Sequence, residues 1–132
     1  MAIILDADVI IKGEKGSFDL IAWLDAQTAD LEIAAITIAE LWHGIERATA
    51  PHRAKRERYL KAVVEGLEAI PYTEATALIH AQVWAQLKSS GNMIGAHDLI
   101  LASAALERGS VVATFNKRHF SLVAGLRVIE PT

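Results

Sequence analysis

The chain has 132 residues, a formal net charge of −3 and no cysteine. Hydrophobic residues make up 52% and charged residues 22%, which excludes a disordered or fibrous chain. Without cysteine there is no disulfide scaffold, zinc–thiolate site or cysteine nucleophile, and a cytoplasmic protein is expected. The start, Met1 to Asp6, lacks a basic segment and its apolar run stops at an acid, unlike a secretory signal. No apolar stretch approaches the ~20 residues that span a bilayer. With a net negative charge, any contact with nucleic acid must come from a local basic patch or through metal ions.

Residues 2–5 form a short apolar run, which suits a buried strand. The stretch 18–29 carries Leu20, Ile21, Trp23, Leu24 and Ala26 at helical spacing. Residues 32–36 read as a second strand. Thr37 then opens a helix through Ala48, with Ile38, Leu41, Trp42 and Ile45 on one stripe. Pro51 suits the first turn of a helix over 51–67, and a short strand follows over 67–70. Thr73 caps a helix to Ser89, where Ser-Ser-Gly-Asn ends it. The segment 98–108 is apolar on most sides and reads as a buried helix, stopped by Gly109. Residues 111–113 and 128–129 complete the strands. Alternating strands and helices predict an α/β fold, a mostly parallel sheet with helices on both faces, in one domain over 1–132. Ligands in such folds bind beyond the carboxyl ends of the strands. The three tryptophans, Trp23, Trp42 and Trp84, sit on helical stripes and are expected in the core.

Several polar residues fall at the predicted strand-to-helix junctions. Asp6 follows the first strand and should face solvent in the crevice; capping the next turn is its other role. Asp8, two residues on, either joins Asp6 or caps the turn of Asp8-Val9-Ile10-Ile11. Glu40 lies in Thr37-Ile38-Ala39-Glu40, a capping-box spacing that accounts for it without catalysis. Asp98 opens the apolar helix, where the helix dipole favours an acid. Asn116 follows the strand at 111–113, and its amide can hold a metal-bound water without adding charge. A parallel sheet brings these junctions to one edge. Three gathered carboxylates repel one another unless a cation neutralises them, and Mg²⁺ takes oxygen ligands, keeps waters and bridges to phosphate.

Together these segments resemble the PIN-domain ribonucleases, specifically the VapC-type toxins of bacterial toxin–antitoxin pairs. The resemblance rests on Ile4-Leu5-Asp6-Ala7-Asp8-Val9-Ile10-Ile11, Thr37-Ile38-Ala39-Glu40-Leu41-Trp42-His43-Gly44 and Ile94-Gly95-Ala96-His97-Asp98-Leu99-Ile100-Leu101-Ala102. It continues through Ala113-Thr114-Phe115-Asn116-Lys117-Arg118-His119-Phe120 and Gly125 to Pro131. It implies a three-layer α/β/α PIN fold and Mg²⁺- or Mn²⁺-dependent cleavage of RNA. It also implies Asp6 and Asp98 as chief metal ligands, Glu40 as a third acid, a cognate antitoxin and a homodimer. In the segment where the family often carries a fourth acid, this chain has Asn116 and His119, so one tightly held metal is expected. His119 is either a proton carrier or a surface residue beside a buried Phe. Residues 47–61 hold Arg47, Arg53, Lys55, Arg56, Arg58 and Lys61 against Glu57 alone, a run that could meet RNA phosphates, receive an acidic partner or be a solvated face.

Two other readings fit parts of the sequence. Leu5-Asp6-Ala7-Asp8-Val9 also resembles the nucleophile motif of haloacid-dehalogenase-type phosphatases, with Asp6 attacking phosphorus and Asp8 moving the proton. A PIN-like binding module without catalysis is the third.

Overall fold

Ile3, Ile4 and Leu5 alternate across the first strand, and that alternation builds two cores. A computed structural model describes residues 1–132. In chain order the elements are β1 (Ala2–Leu5), α1 (Ala7–Glu14), α2 (Leu20–Asp25), β2 (Asp30–Ala34), α3 (Ala35–Glu46) and α4 (Ala50–Glu65). There follow β3 (Glu68–Ile70), α5 (Glu74–Ser89), α6 (Ala96–Arg108), β4 (Val111–Ala113), α7 (Lys117–Phe120) and β5 (Val128–Ile129). The five strands form one sheet in the order β3-β2-β1-β4-β5, and every pairing is parallel.

Ile3 and Leu5 pack with Val9, Ile10, Trp23, Leu41, Ile45 and Leu60, so α1 to α4 cover one face. Ile4 points the other way, into Val83, Leu87, Leu101, Ala105 and Phe120 of α5, α6 and α7. This is the expected three-layer α/β/α architecture. The chain lays β2 and β3 on one side of β1, then crosses to place β4 and β5 on the other. The strand order therefore reverses between β1 and β4, and a crevice opens at such a point beyond the carboxyl ends.

Several boundaries differ from the sequence reading. The run after Asp6 is a full helix, α1, started by the Asp6 side chain accepting from the Ala7 N–H at 2.7 Å. The helix expected over 18–29 is shorter, Leu20–Asp25, because Asp19 caps it. β2 spans 30–34, two residues earlier than expected, so α3 begins at Ala35 on an Ala34 cap that offers no side-chain bond. The capping box at Thr37 and Glu40 does not form. Thr37 lies inside the first turn, buried, and its hydroxyl has no partner. The capping box belongs instead to α5, where the Thr73 hydroxyl accepts from the Thr76 N–H and the Thr73 N–H donates back to Thr76 Oγ1. Gly109 ends α6 in the left-handed conformation, φ 67°, which a side chain at that position would resist. Trp23 is buried, but Trp84 is 51% exposed; its stripe on α5 faces outward and stacks on His80.

Candidate active site

Asp6 and Thr114 stand on the two strands that flank the crossover. The Asp6 N–H donates to the Ala113 carbonyl at 3.0 Å, which ties the two strand ends together. The Thr114 hydroxyl donates to Asp6 Oδ2 at 2.8 Å. Asp8, in the first turn of α1, accepts from the Phe115 N–H at 3.1 Å. It lies 3.4 Å from the same Thr114 oxygen, but that hydroxyl has one proton and the shorter bond to Asp6 takes it. Thr114 in turn accepts from the Asn116 N–H at 2.9 Å. One buried threonine thus fixes Asp6 and the loop that carries Asn116. Asp6 is only 7% exposed, not solvent-facing as expected. The helix starts at the very next residue and no loop lets the carboxylate swing out.

α3 and α6 complete the group from the other side. Glu40, free of any cap, places Oε2 3.4 Å from His97 Nδ1. Asp98 sits in the first turn of α6, facing His119 and His97. The Asn116 amide nitrogen is 2.8 Å from His119 Nδ1. Asn116 therefore meets a histidine at close range, while His119 is exposed next to fully buried Phe120.

The four acids sense one another. Burial pushes the Asp6 carboxyl up to about 7, and the Asp8 and Asp98 charges push in the same direction. Burial also raises Asp8, against the Phe115 N–H and Thr114, which lower it. Glu40 is raised by burial and by Asp98, with His97 opposing. Asp98 is raised by burial, with His119 and His97 opposing. Burial is the first cause of each shift, and Lys12 beside Asp8 and the histidines beside Glu40 and Asp98 offset only part of it.

The chain shows elsewhere how it neutralises a buried acid for structural ends. Glu32 is 1% exposed and takes Arg108 at 2.6 Å and the Ser110 hydroxyl at 2.6 Å. No lysine or arginine pairs with Asp6, Asp8, Glu40 or Asp98 in this way. Hard oxygen donors with unmatched charge suit a divalent cation. No three of them close into a ligand cage, so an ion held here would keep water among its ligands.

The comparisons with known proteins identify the family. The PIN domain family model matches residues 3–126. The chain belongs to the PIN-domain family. It is 35% identical to the VapC ribonuclease Y4jK of Sinorhizobium fredii, over 98% of this chain and 96% of that protein. It is 38% identical over 105 residues to the tRNA(fMet)-specific endonuclease VapC of Salmonella typhimurium, covering 76% of this chain and 75% of the relative. Among solved structures, the DNA-bound VapBC of Salmonella typhimurium superposes with a TM-score of 0.90 at 27% identity, over 98% of both chains. The phosphatase reading of Asp6-Ala7-Asp8 is thereby set aside.

Within this PIN domain the structure sets Asp98 near both Asp6 and Glu40 and ties Asn116 to Asp6 through the Thr114 hydroxyl. It adds Asp8 to the acids, and it adds Thr114 and His97 as their neighbours. Asp8 was legible as a neighbour of Asp6. The contacts of Thr114 with Asp6 and of His97 with Glu40 were not, because they span 108 and 57 positions of sequence. The basic run is partly structural. Arg56 is held by Glu14 at 2.8 Å and the Gly44 carbonyl at 3.1 Å, Arg53 by Glu46 at 2.7 Å and Lys61 by Glu57 at 3.2 Å. Lys15, His52 and Lys55 line a cavity of about 550 Å³ between α1 and α4.

Proposed function

We propose that this chain is a divalent-metal-dependent endoribonuclease, the toxin of a toxin–antitoxin pair acting in the cytoplasm. In this reading Asp6 and Asp98 are the principal ligands of the ion, Glu40 is the third acid and Asn116 is a polar orienting group. The observation that carries it is the set of carboxylates at the β1/β4 crossover, buried in part and without lysine or arginine partners. RNA as substrate follows the ribonucleases it resembles, and an antitoxin as partner follows the VapBC assemblies.

A bound Mg²⁺ or Mn²⁺ would offset part of the acidic charge and lower the barrier to attack of water on a phosphodiester. The chain's own residues do the rest. Thr114 fixes the Asp6 carboxylate, so its free lone pairs keep one direction. Glu40, held only by His97 at 3.4 Å, stays free to accept a proton from water. Asn116 adds a donor and an acceptor without a fifth charge.

The test is cleavage of a panel of structured and single-stranded RNAs by the purified protein in Mg²⁺ or Mn²⁺. Wild type should cut. EDTA, Asp6→Asn or Asp98→Asn should lower the single-turnover rate at least a hundredfold, with the circular dichroism spectrum unchanged. Metal-dependent cleavage that survives both substitutions overturns the residue assignment. A wild type that cuts none of the RNAs with either ion favours a non-catalytic module.

A further inference from the structure

Beside the acids, α3 and α6 leave an open cleft of about 430 Å³ lined by Ile36, Ala39, Glu40, His43 and His97. That volume lies in the range of small-ligand sites, ~300–1,000 Å³. Ile36, Glu40 and His43 lie one turn apart along α3 (Ala35–Glu46), and His97 faces them from the first turn of α6 (Ala96–Arg108). Glu40 belongs to both places: it walls the cleft, and the Asp98 charge of the acidic group acts on it. The cleft is therefore continuous with the site.

Its chemistry selects an occupant. No lysine or arginine lines it, and the Glu40 carboxylate turns a phosphate away. What it offers is an isoleucine side chain, an alanine methyl and two imidazoles, His43 exposed and His97 54% exposed. A flat imidazole face and an aliphatic surface next to a phosphodiester-cleaving group suit a base. Single-stranded RNA splays its bases onto aromatic side chains, histidine among them.

We propose that this cleft seats the nucleobase adjoining the scissile phosphate, packed on His43 and the Ile36–Ala39 surface. The inference rests on the reading of the acidic group as an RNA-cleaving site and assigns that site a base-binding position.

The experiment uses the full chain and a fluorescein-labelled single-stranded RNA. An abasic ribonucleotide replaces each position in turn. Affinity is read by anisotropy in EDTA, and KM and kcat in Mn²⁺. Ala39→Leu fills the cleft from an exposed helical position, and His43→Ala and His43→Phe probe the stacking face. One abasic position should weaken wild-type binding about tenfold, the order expected for one stacked base, with kcat little changed. Ala39→Leu should match that loss on intact RNA and add nothing on the abasic RNA, the signature of a shared contact. His43→Phe should recover most of what His43→Ala loses. Additive losses, no sensitive position, or a Phe variant no better than Ala overturn the proposal. Cleavage with additive losses removes the cleft alone. Coupled losses in affinity without any cleavage remove the nuclease reading and keep the cleft. Absence of RNA binding removes both.

Discussion

Replacing Asp6 by Asn should make the metal-free protein more stable, and the pH dependence of that gain tests the electrostatic picture directly. The folded chain moves the Asp6 carboxyl from its ordinary 3.8 to about 7. In linkage terms the folded state binds the proton more tightly than the unfolded state does. The penalty is absent below about pH 4, where both states are protonated. It grows as pH rises between the two values and is complete above about pH 7. At ~1.4 kcal/mol per pH unit, a gap of about three units is worth about 4 kcal/mol at pH 8. Part of it reflects Asp8 and Asp98, which the substitution also relieves.

Asn suits the position otherwise. It is a good helix cap, so the bond to the Ala7 N–H survives, and the Thr114 hydroxyl can turn toward Asp8 at 3.4 Å. We expect a gain of roughly 2–4 kcal/mol at pH 8 in EDTA, which shrinks toward zero by pH 4. Urea unfolding at several pH values measures it. Adding Mg²⁺ should narrow the difference by about 2.7 kcal/mol at a hundred times the Kd, because the ion stabilises wild type and the variant has lost a principal ligand. A variant no more stable than wild type at pH 8, or a difference flat from pH 4 to 8, would show that burial of Asp6 carries no electrostatic cost and would refute the argument.

Three further outcomes follow from the same geometry. Glu40→Gln should leave urea stability within about 0.5 kcal/mol, as for substitutions outside the core, because Glu40 caps nothing; the cleavage rate should fall at least tenfold, read in single-turnover assays. Thr114→Val removes the hydroxyl that serves Asp6 and Asn116 and leaves the Asn116 N–H unpaired, so a loss of about 1–3 kcal/mol is expected in the same unfolding assay, with slower cleavage. Asn116→Asp should tighten Mn²⁺ binding in a calorimetric titration by adding a fifth charge, while Asn116→Ala should slow cleavage less than Asp6→Asn does.

The layered architecture was legible because its signals are local. Apolar runs of three to five residues between amphipathic helices, a glycine stop at Gly109 and acids at junctions each depend on a few neighbours. The errors came where tertiary contacts decide. The pattern Thr37-x-x-Glu40 has the spacing of a capping box, but β2 pairs with β1 from Asp30, two residues before the apolar run suggests. That earlier register pulls the start of α3 to Ala35 and places Thr37 inside the first turn. Nothing local to Thr37 reports a register set by another strand. Trp84 shows the same thing on a surface: its helical stripe is real, yet α5 packs against α6 through Val83 and Leu87, and Trp84 is left outside.

The fourth acid shows the fold deciding between two places that the sequence leaves open. The resemblance directs attention to Asn116 and His119, where no carboxylate stands. The fold brings in Asp8 instead, because α1 begins directly at Asp6 and so sets residues 6 and 8 on either side of the Thr114 hydroxyl. The charge comes from the helix after the first strand rather than from the loop after the fourth. It also has a backbone task, since Asp8 holds the Phe115 N–H at 3.1 Å and with it the loop that carries Asn116. A cluster of this kind opposes folding, and natural proteins keep such sites where activity depends on them. The two cores of the sheet supply the stability that lets Asp6, Asp8, Glu40 and Asp98 stay partly buried with only part of their charge offset, and the remainder is what a divalent ion can neutralise.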